Sequence, residues 1–179
     1  MRKGLMLISL AFLISLASAS TLTLSVSDAT GGSGATVEVP INMEGATDVG
    51  SMDILMSYDA GILQAIGVDA GALGKNAYIE SNTAGDGEVI IALADASGIS
   101  GNGQVAIVSF EVIGDTGSSS PLVLEDTSVH DIERVEVITT TRDGTFSVTA
   151  GTEGAGYESA DVLVIGAILM ALFVIKRRK

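Results

Sequence analysis

The sequence predicts an all-β domain, a nine-stranded jelly-roll β-sandwich. Three observations predict it: apolar residues recur at every second position, glycine-rich turns separate these runs, and the middle of the chain has no helical periodicity. Leu22, Leu24 and Val26 open the pattern, followed by Val37, Val39, Ile41 and Met43, then by Met52, Ile54, Met56 and Tyr58. Val89, Ile91 and Leu93; Val108, Phe110 and Val112; Leu122 and Leu124; Val135 and Val137; and Phe146 and Val148 continue it. Period-two spacing places each run on one face of a strand, so each reads as half-buried. Gly31 to Gly34, Asp86-Gly87, Gly98 to Gly103, Gly114 to Ser120 and Asp143-Gly144 supply turn chemistry at the intervals of sandwiches and jelly rolls. Ala60 to Leu63 and Ala70 to Leu73 are the only candidates for helical turns, each one turn long, which excludes an α/β enzyme fold.

The ends read differently. Arg2 and Lys3, the apolar run Leu5 to Leu16 and the small residues Ala17-Ser18-Ala19 form a secretory signal peptide over residues 1–19, with cleavage expected after Ala19. An uncleaved anchor is the competing reading; the short apolar run and the small-residue site argue against it. Val162 to Ile175 is uninterruptedly apolar and Lys176-Arg177-Arg178-Lys179 follows at once, so residues 161–175 read as a transmembrane helix and 176–179 as a cytoplasmic basic tail. Fourteen residues at 1.5 Å each cover about 21 Å of a hydrocarbon core of roughly 30 Å, a marginal span. A processed sorting signal is the alternative, although no cleavage motif precedes the helix. Residues 150–160, rich in Gly, Thr, Glu and Ser, read as a flexible tether. The sandwich is left with 20–149, displayed outside a membrane on a single-pass anchor.

Charge limits the function. All 22 acidic residues lie between Asp28 and Asp161, where Lys75, Arg134 and Arg142 are the only cations, so that portion stands at −19 against −13 for the whole chain. Such a surface repels nucleic acid and attracts a basic partner; it also suits a domain that simply stays solvated. With no cysteine, the core alone must hold the fold. One histidine, no cysteine and no serine in a nucleophile-elbow pattern leave no catalytic candidate, and His130 reads as a strand-end or loop residue. Glu125, Asp126, Asp131 and Glu133 could ligate calcium, but the EF-hand order is missing and solvated carboxylates are the simpler reading. No metal or cofactor is expected. Sugar binding wants an aromatic face, and without tryptophan only Tyr78 offers a free platform in the domain.

Period two also fixes the opposite face. Beside Met52, Ile54 and Met56 lie Asp53, Leu55 and Ser57; beside Val89, Ile91 and Leu93 lie Ile90, Ala92 and Ala94. An outward surface of Leu55, Ile90, Ala92 and Ala94, edged by Asp53 and Asp95, is apolar enough to be an interaction patch unless loops or another strand cover it. Asp53, Leu55, Ile90, Ala92 and Asp95 are therefore the candidate binding residues.

Taken in order, Ser33 to Pro40, Gly50-Ser51-Met52-Asp53-Ile54, Ser57-Tyr58-Asp59, Leu63 to Val68, Ile91 to Gly98, Val105 to Val112 and Asp143 to Val148 resemble a cohesin domain over essentially the whole segment. Ala60 stands where the family has the proline of its Tyr-Asp-Pro motif. The resemblance implies a jelly-roll module that grips a dockerin, a helical module carrying its own calcium, on the sheet face holding Asp53 and Asp95. The domain itself is expected to be a monomer without cofactor. The expected function is a membrane-anchored, dockerin-type binding module linked to extracellular polysaccharide degradation. Direct polysaccharide binding and a structural role in the cell envelope are the alternatives.

Overall fold

The computed structural model describes residues 21–150; the signal peptide, the tether beyond Ala150, the anchor and the basic tail expected from the sequence lie outside the described residues. Among the described residues no helix is long and apolar enough to cross a membrane. Nine strands follow one another: β1 (Leu22–Val26), β2 (Ala29–Gly32), β3 (Thr36–Ser57), β4 (Leu63–Ala70), β5 (Tyr78–Gly85), β6 (Glu88–Val112), β7 (Ser119–Asp131), β8 (Thr139–Arg142) and β9 (Gly144–Thr149).

All nine belong to one hydrogen-bonded sheet that curls over on itself, and two long strands make the fold-over possible. The first half of β3 pairs with β1 and with the second half of β6, which in turn pairs with β4, while β8 adds to β1 in parallel. The second half of β3 pairs with the first half of β6 and with β7; β5 borders β6, and β9 and β2 extend from β7. β3 and β6 therefore cross together from one layer to the other.

The crossing corrects one expectation. Gly98 to Gly103, expected as a turn between strands, lies inside β6, where the β3–β6 register shifts repeatedly between Met43 and Ser51 without the ladder ending. Side chains replace ladder bonds at the bend: Asn102 Oδ1 accepts the Gly45 N–H at 2.7 Å and Ser100 Oγ accepts the Asp48 N–H at 2.9 Å. Four alternating runs in the sequence thus form two long bent strands. A second correction concerns Val135 and Val137, which alternate like a strand yet lie in the β7–β8 loop. Asp131 Oδ1 accepts the N–H groups of Glu133 and Val135 at 2.9 and 2.8 Å, folding the chain back so that it meets the end of β7 only through the single His130–Glu136 bridge. The Asp131 N–H to Val135 O and Val137 N–H to Val129 O bonds flank that bridge, too short a pairing to make a strand. Of the two candidate helical turns, the first forms: Asp59 O accepts the N–H groups of Ile62 and Leu63, both at 3.0 Å. The second does not, because Gly71 and Leu73 donate instead across to β6.

Alternate residues of both layers close on one core that includes Leu22, Leu24, Ile41, Met52, Ile54, Ile91, Phe110, Leu122 and Phe146. Phe110 meets Tyr58 edge-on, ring centres 5.1 Å apart, a geometry worth about 0.5–1.5 kcal/mol beyond burial. Ser120, buried among apolar neighbours, is satisfied on both sides, accepting the Asp59 N–H at 2.8 Å and donating to Pro121 O at 2.9 Å. That bond, with Asp59 Oδ1 accepting the Gly61 N–H at 2.8 Å, holds the turn at Ala60. The Asp86-Gly87 turn that joins β5 to β6 needs its glycine: φ is +83°, and a Cβ there would stand 2.8 Å from Tyr58 O.

Candidate docking face

The second layer turns its outer side to solvent between β5 and β7. Strand register arranges that side in four rows. Tyr78, Ala94, Ser51 and His130 form the first; Glu80, Ala92, Asp53 and Ser128 the second; Asn82, Ile90, Leu55 and Asp126 the third. Gly85, Glu88, Ser57 and Val123 form the fourth. Strands about 4.8 Å apart and rows about 6.7 Å apart make a field of roughly 14 by 20 Å.

Its centre is apolar. Leu55 and Ala92 are half-buried, Ile90 is 49% exposed and Tyr78 is 67% exposed, and no strand lies over them among the described residues. A depression of about 160 Å³ between Leu55, Ile90 and Asp126 and shallow hollows along Ala92 and Ala94 follow the same line. Carboxylates surround this strip: Asp53 and Glu80 within it, Glu88, Glu125 and Asp126 toward one end. The last two share the face because the β3–β7 register slips between Leu55 and Met56, a bulge that turns consecutive residues outward. Ser57 Oγ confirms the direction by donating to Glu125 Oε1 at 2.7 Å. No lysine or arginine occupies the four rows, so their field is uniformly negative.

Tyr78 donates its hydroxyl to Glu80 Oε1, two residues along the same side of β5. This bond, and then the carboxylate's charge, raise the phenol above its ordinary value of 10.0, so it remains the neutral donor that pins the ring along the strand.

Four of the five candidate residues thus meet: Asp53 faces Ala92, and Leu55 faces Ile90, in adjacent rows. Asp95 stands apart. It is one step, not two, from outward-facing Ala94, lies beyond the last β3–β6 pair of the face, and uses Oδ1 to accept the Ser97 N–H at 2.8 Å. Glu80, Asn82, Asp126 and Ser128 join the face although sequence reasoning missed them. β5 is too polar to show alternation, and a bulge leaves no mark that period two can detect. Tyr78, expected as a separate sugar platform, belongs to this same face.

Among the described residues no group of three or more His, Cys, Asp or Glu gathers closely enough to hold a metal ion. Of the four residues weighed for calcium, Glu125 accepts from Ser57 and Asp131 from two backbone N–H groups. A recess of about 320 Å³ opens beyond the fourth row, between the Asp86-Gly87 tip and the Ala60 turn. Its aromatic, Tyr58, is buried and its hydroxyl accepts the Ala65 N–H at 3.3 Å, so it presents no open ring to a sugar.

The model of the cohesin domain family matches residues 22–148. A non-cellulosomal cohesin from the hyperthermophilic archaeon Archaeoglobus fulgidus is 28% identical and superposes with a TM-score of 0.67, over 77% of this chain and 98% of that one. CaCohA2 from Clostridium acetobutylicum, solved in complex with CaDoc0917, is 28% identical with a TM-score of 0.68, over 72% of this chain and 100% of that one. The sixth cohesin of Acetivibrio cellulolyticus scaffoldin B, solved with a Cel5 dockerin, shares the fold at 24% identity and a TM-score of 0.65, over 72% and 99%. Among curated proteins none matches. The chain belongs to the cohesin family, whose domains are adaptor modules and not catalysts.

Proposed function

We propose that this chain is a cell-surface docking module that binds a dockerin-type protein through the outer face of β5, β6, β3 and β7. The observation that carries the reading is the uncovered apolar strip of Leu55, Ile90, Ala92 and Ala94 set among Asp53, Glu80, Glu88, Glu125 and Asp126. A field about 20 Å long accepts a helix of three to four turns. A helix bearing Leu or Val on one stripe and Lys or Arg beside it complements both the strip and its carboxylates. Relatives solved with dockerins add weight from outside the chain. In this reading the partner brings its own calcium, and the domain works as a monomer held outside the cell by the helix over 161–175. Polysaccharide degradation is served through whatever enzyme carries the dockerin.

The test is retention of purified, calcium-loaded dockerin modules by the full-length protein, compared with a panel of soluble and insoluble polysaccharides. Dockerin should be retained and released by a chelator, while the melting temperature of the protein itself stays unchanged by chelation. Retention of a glycan that survives both the chelator and Leu55→Glu would replace this reading with direct carbohydrate binding. On intact cells, added protease should digest the domain and spare Lys176 to Lys179; release of the protein into the medium with its tail removed would favour a processed sorting signal.

A further inference from the structure

Ser51 belongs to two features. It sits in the first row of the docking face beside Ala94 and His130, and it walls a recess of about 270 Å³ at the sheet end with Gly50, Asp95, Ala96, Ile132 and Arg134. The recess is tightly built. The Ile132 N–H donates to Asp48 O at 2.9 Å, the Asp131 N–H donates to Val135 O at 3.0 Å, and a Cβ on Gly50 would stand 2.9 Å from Asp131 O.

Within this frame Arg134 has φ +68°, in the left-handed region. Among the described residues the only other non-glycine there is Asp48 at +50°, an aspartate, which that region tolerates, and whose Oδ1 accepts the Ser100 hydroxyl at 3.3 Å. Arginine has no comparable local reason. What it gives the loop is a backbone N–H to Asp131 O at 3.0 Å, which glycine would supply without steric cost. A conformational cost borne for a side chain that the loop does not use points to a use outside the fold. Ile132 and Val135 beside it are 48% and 58% exposed, so the neighbourhood is apolar as well as cationic.

Charge says what that use is. The described residues hold three cations; Lys75 lies in the β4–β5 turn and Arg142 in β8, so Arg134 alone walls a recess that adjoins the face. Asp95 and Asp131, which also line the recess, each turn one oxygen onto backbone N–H groups of their own loops, Asp95 onto Ser97 and Asp131 onto Glu133 and Val135, but keep their charge. Among the described residues the guanidinium is thus the only cationic group lining the recess and the only one there that attracts an anion.

Resting on the docking reading above, we propose that Arg134 is a specificity-determining residue. The docking partner extends over the Tyr78, Ala94, Ser51 and His130 row and places a carboxylate against the Arg134 guanidinium, its aliphatic stem on Ile132 and Ala96. A partner that is basic along the strip and acidic at this end is held in one register, because reversal sets like charges against each other.

The experiment compares Arg134→Gly, Arg134→Glu and Leu55→Glu in the full-length protein, against a calcium-loaded dockerin module bound by the unchanged protein, measuring both affinity and melting temperature. Arg134→Gly should weaken binding roughly tenfold while melting stays level or rises by up to roughly 3 °C, since relief of the steric cost outweighs the freedom glycine adds to the unfolded chain. Arg134→Glu should weaken binding further and be rescued by a lysine in place of the partner's facing carboxylate. Equal affinity of Arg134→Gly and the unchanged protein overturns this inference and leaves the docking face standing. Weaker binding accompanied by a lower melting temperature also overturns it, as that is the mark of a structural residue. Unchanged affinity of Leu55→Glu, or no dockerin bound at all, removes the docking reading and this inference together.

Discussion

The two halves of β3 and β6 are the same pair of strands with different outer faces. In the first layer their outward positions are Thr36, Glu38, Pro40 and Asn42 on β3 and Ile107, Ser109 and Glu111 on β6, with Thr23 and Ser25 of β1 alongside. In the second layer they are Ser51, Asp53, Leu55 and Ser57 against Glu88, Ile90, Ala92 and Ala94. Inward residues do not distinguish the halves: Val39, Ile41, Val108 and Phe110 are buried like Met52, Ile54, Ile91 and Leu93. Folding therefore needs apolar residues on one side of both halves, and only the second half carries a contiguous apolar strip on the other side as well. Folding does not account for that strip, which is why the second layer and not the first is the docking candidate.

The largest effect should erase the difference between the halves by removing what they share. Phe110→Ala empties a fully buried site that touches Tyr58 at the far end of β3, and such truncations cost about 3–5 kcal/mol. Thermal unfolding should remain a single transition and move down by more than about 10 °C. Two separated transitions would mean that the halves are independent folding units and that the common core is misread.

A smaller effect should sharpen the difference. Leu55→Glu puts a charge in the middle of the strip, while Ile107→Glu puts one on the outer face of the first layer, and both start from half-buried outward positions. Central contacts of this kind carry about 2–4 kcal/mol, so Leu55→Glu should lower dockerin affinity at least roughly thirtyfold, whereas Ile107→Glu should stay within about twofold. Both variants should keep the β-type circular-dichroism spectrum. Equal losses from the two would deny the second layer its special status.

How much of this was legible depends on where hydrogen bonds and parity agree. The runs Met52 to Tyr58, Val89 to Leu93 and Val108 to Val112 announced themselves because one side of each is buried and period two cannot be mistaken there. β8 could not be read, since Thr139-Thr140-Thr141 has no apolar member and owes its strand to pairing with β1. Gly98 to Gly103 misled because glycine serves a bend within a strand as well as a turn between strands. At the site, Asp53, Leu55, Ile90 and Ala92 share a face by parity alone. Asp95 fails the same parity count from Ala94, so its separate position was available from the sequence. The arrival of Asp126 was not, since it depends on a one-residue slip in β7.

The smallest effect separates the halves by rate. Asp53 lies within the strip and Glu38 on the outer face of the first layer, and both are exposed carboxylates in a domain with few cations. Lysine at either position removes the same two units of negative charge, so the long-range field that draws a basic partner weakens equally in both variants at a distance. Near contact the two part. At position 53 lysine would stand directly against the partner's own cations, whereas at position 38 it would face solvent on the opposite layer. Asp53→Lys should therefore slow association about tenfold at low salt and Glu38→Lys about twofold, with dissociation nearly unchanged in the second case. Raising ionic strength toward 0.5 M shrinks the screening length to a few ångströms and should narrow the gap in association rates to within about threefold. If the rates of the two variants coincide at low salt, only the overall charge of the domain steers its partner, and the strip owes nothing to the carboxylates set within it.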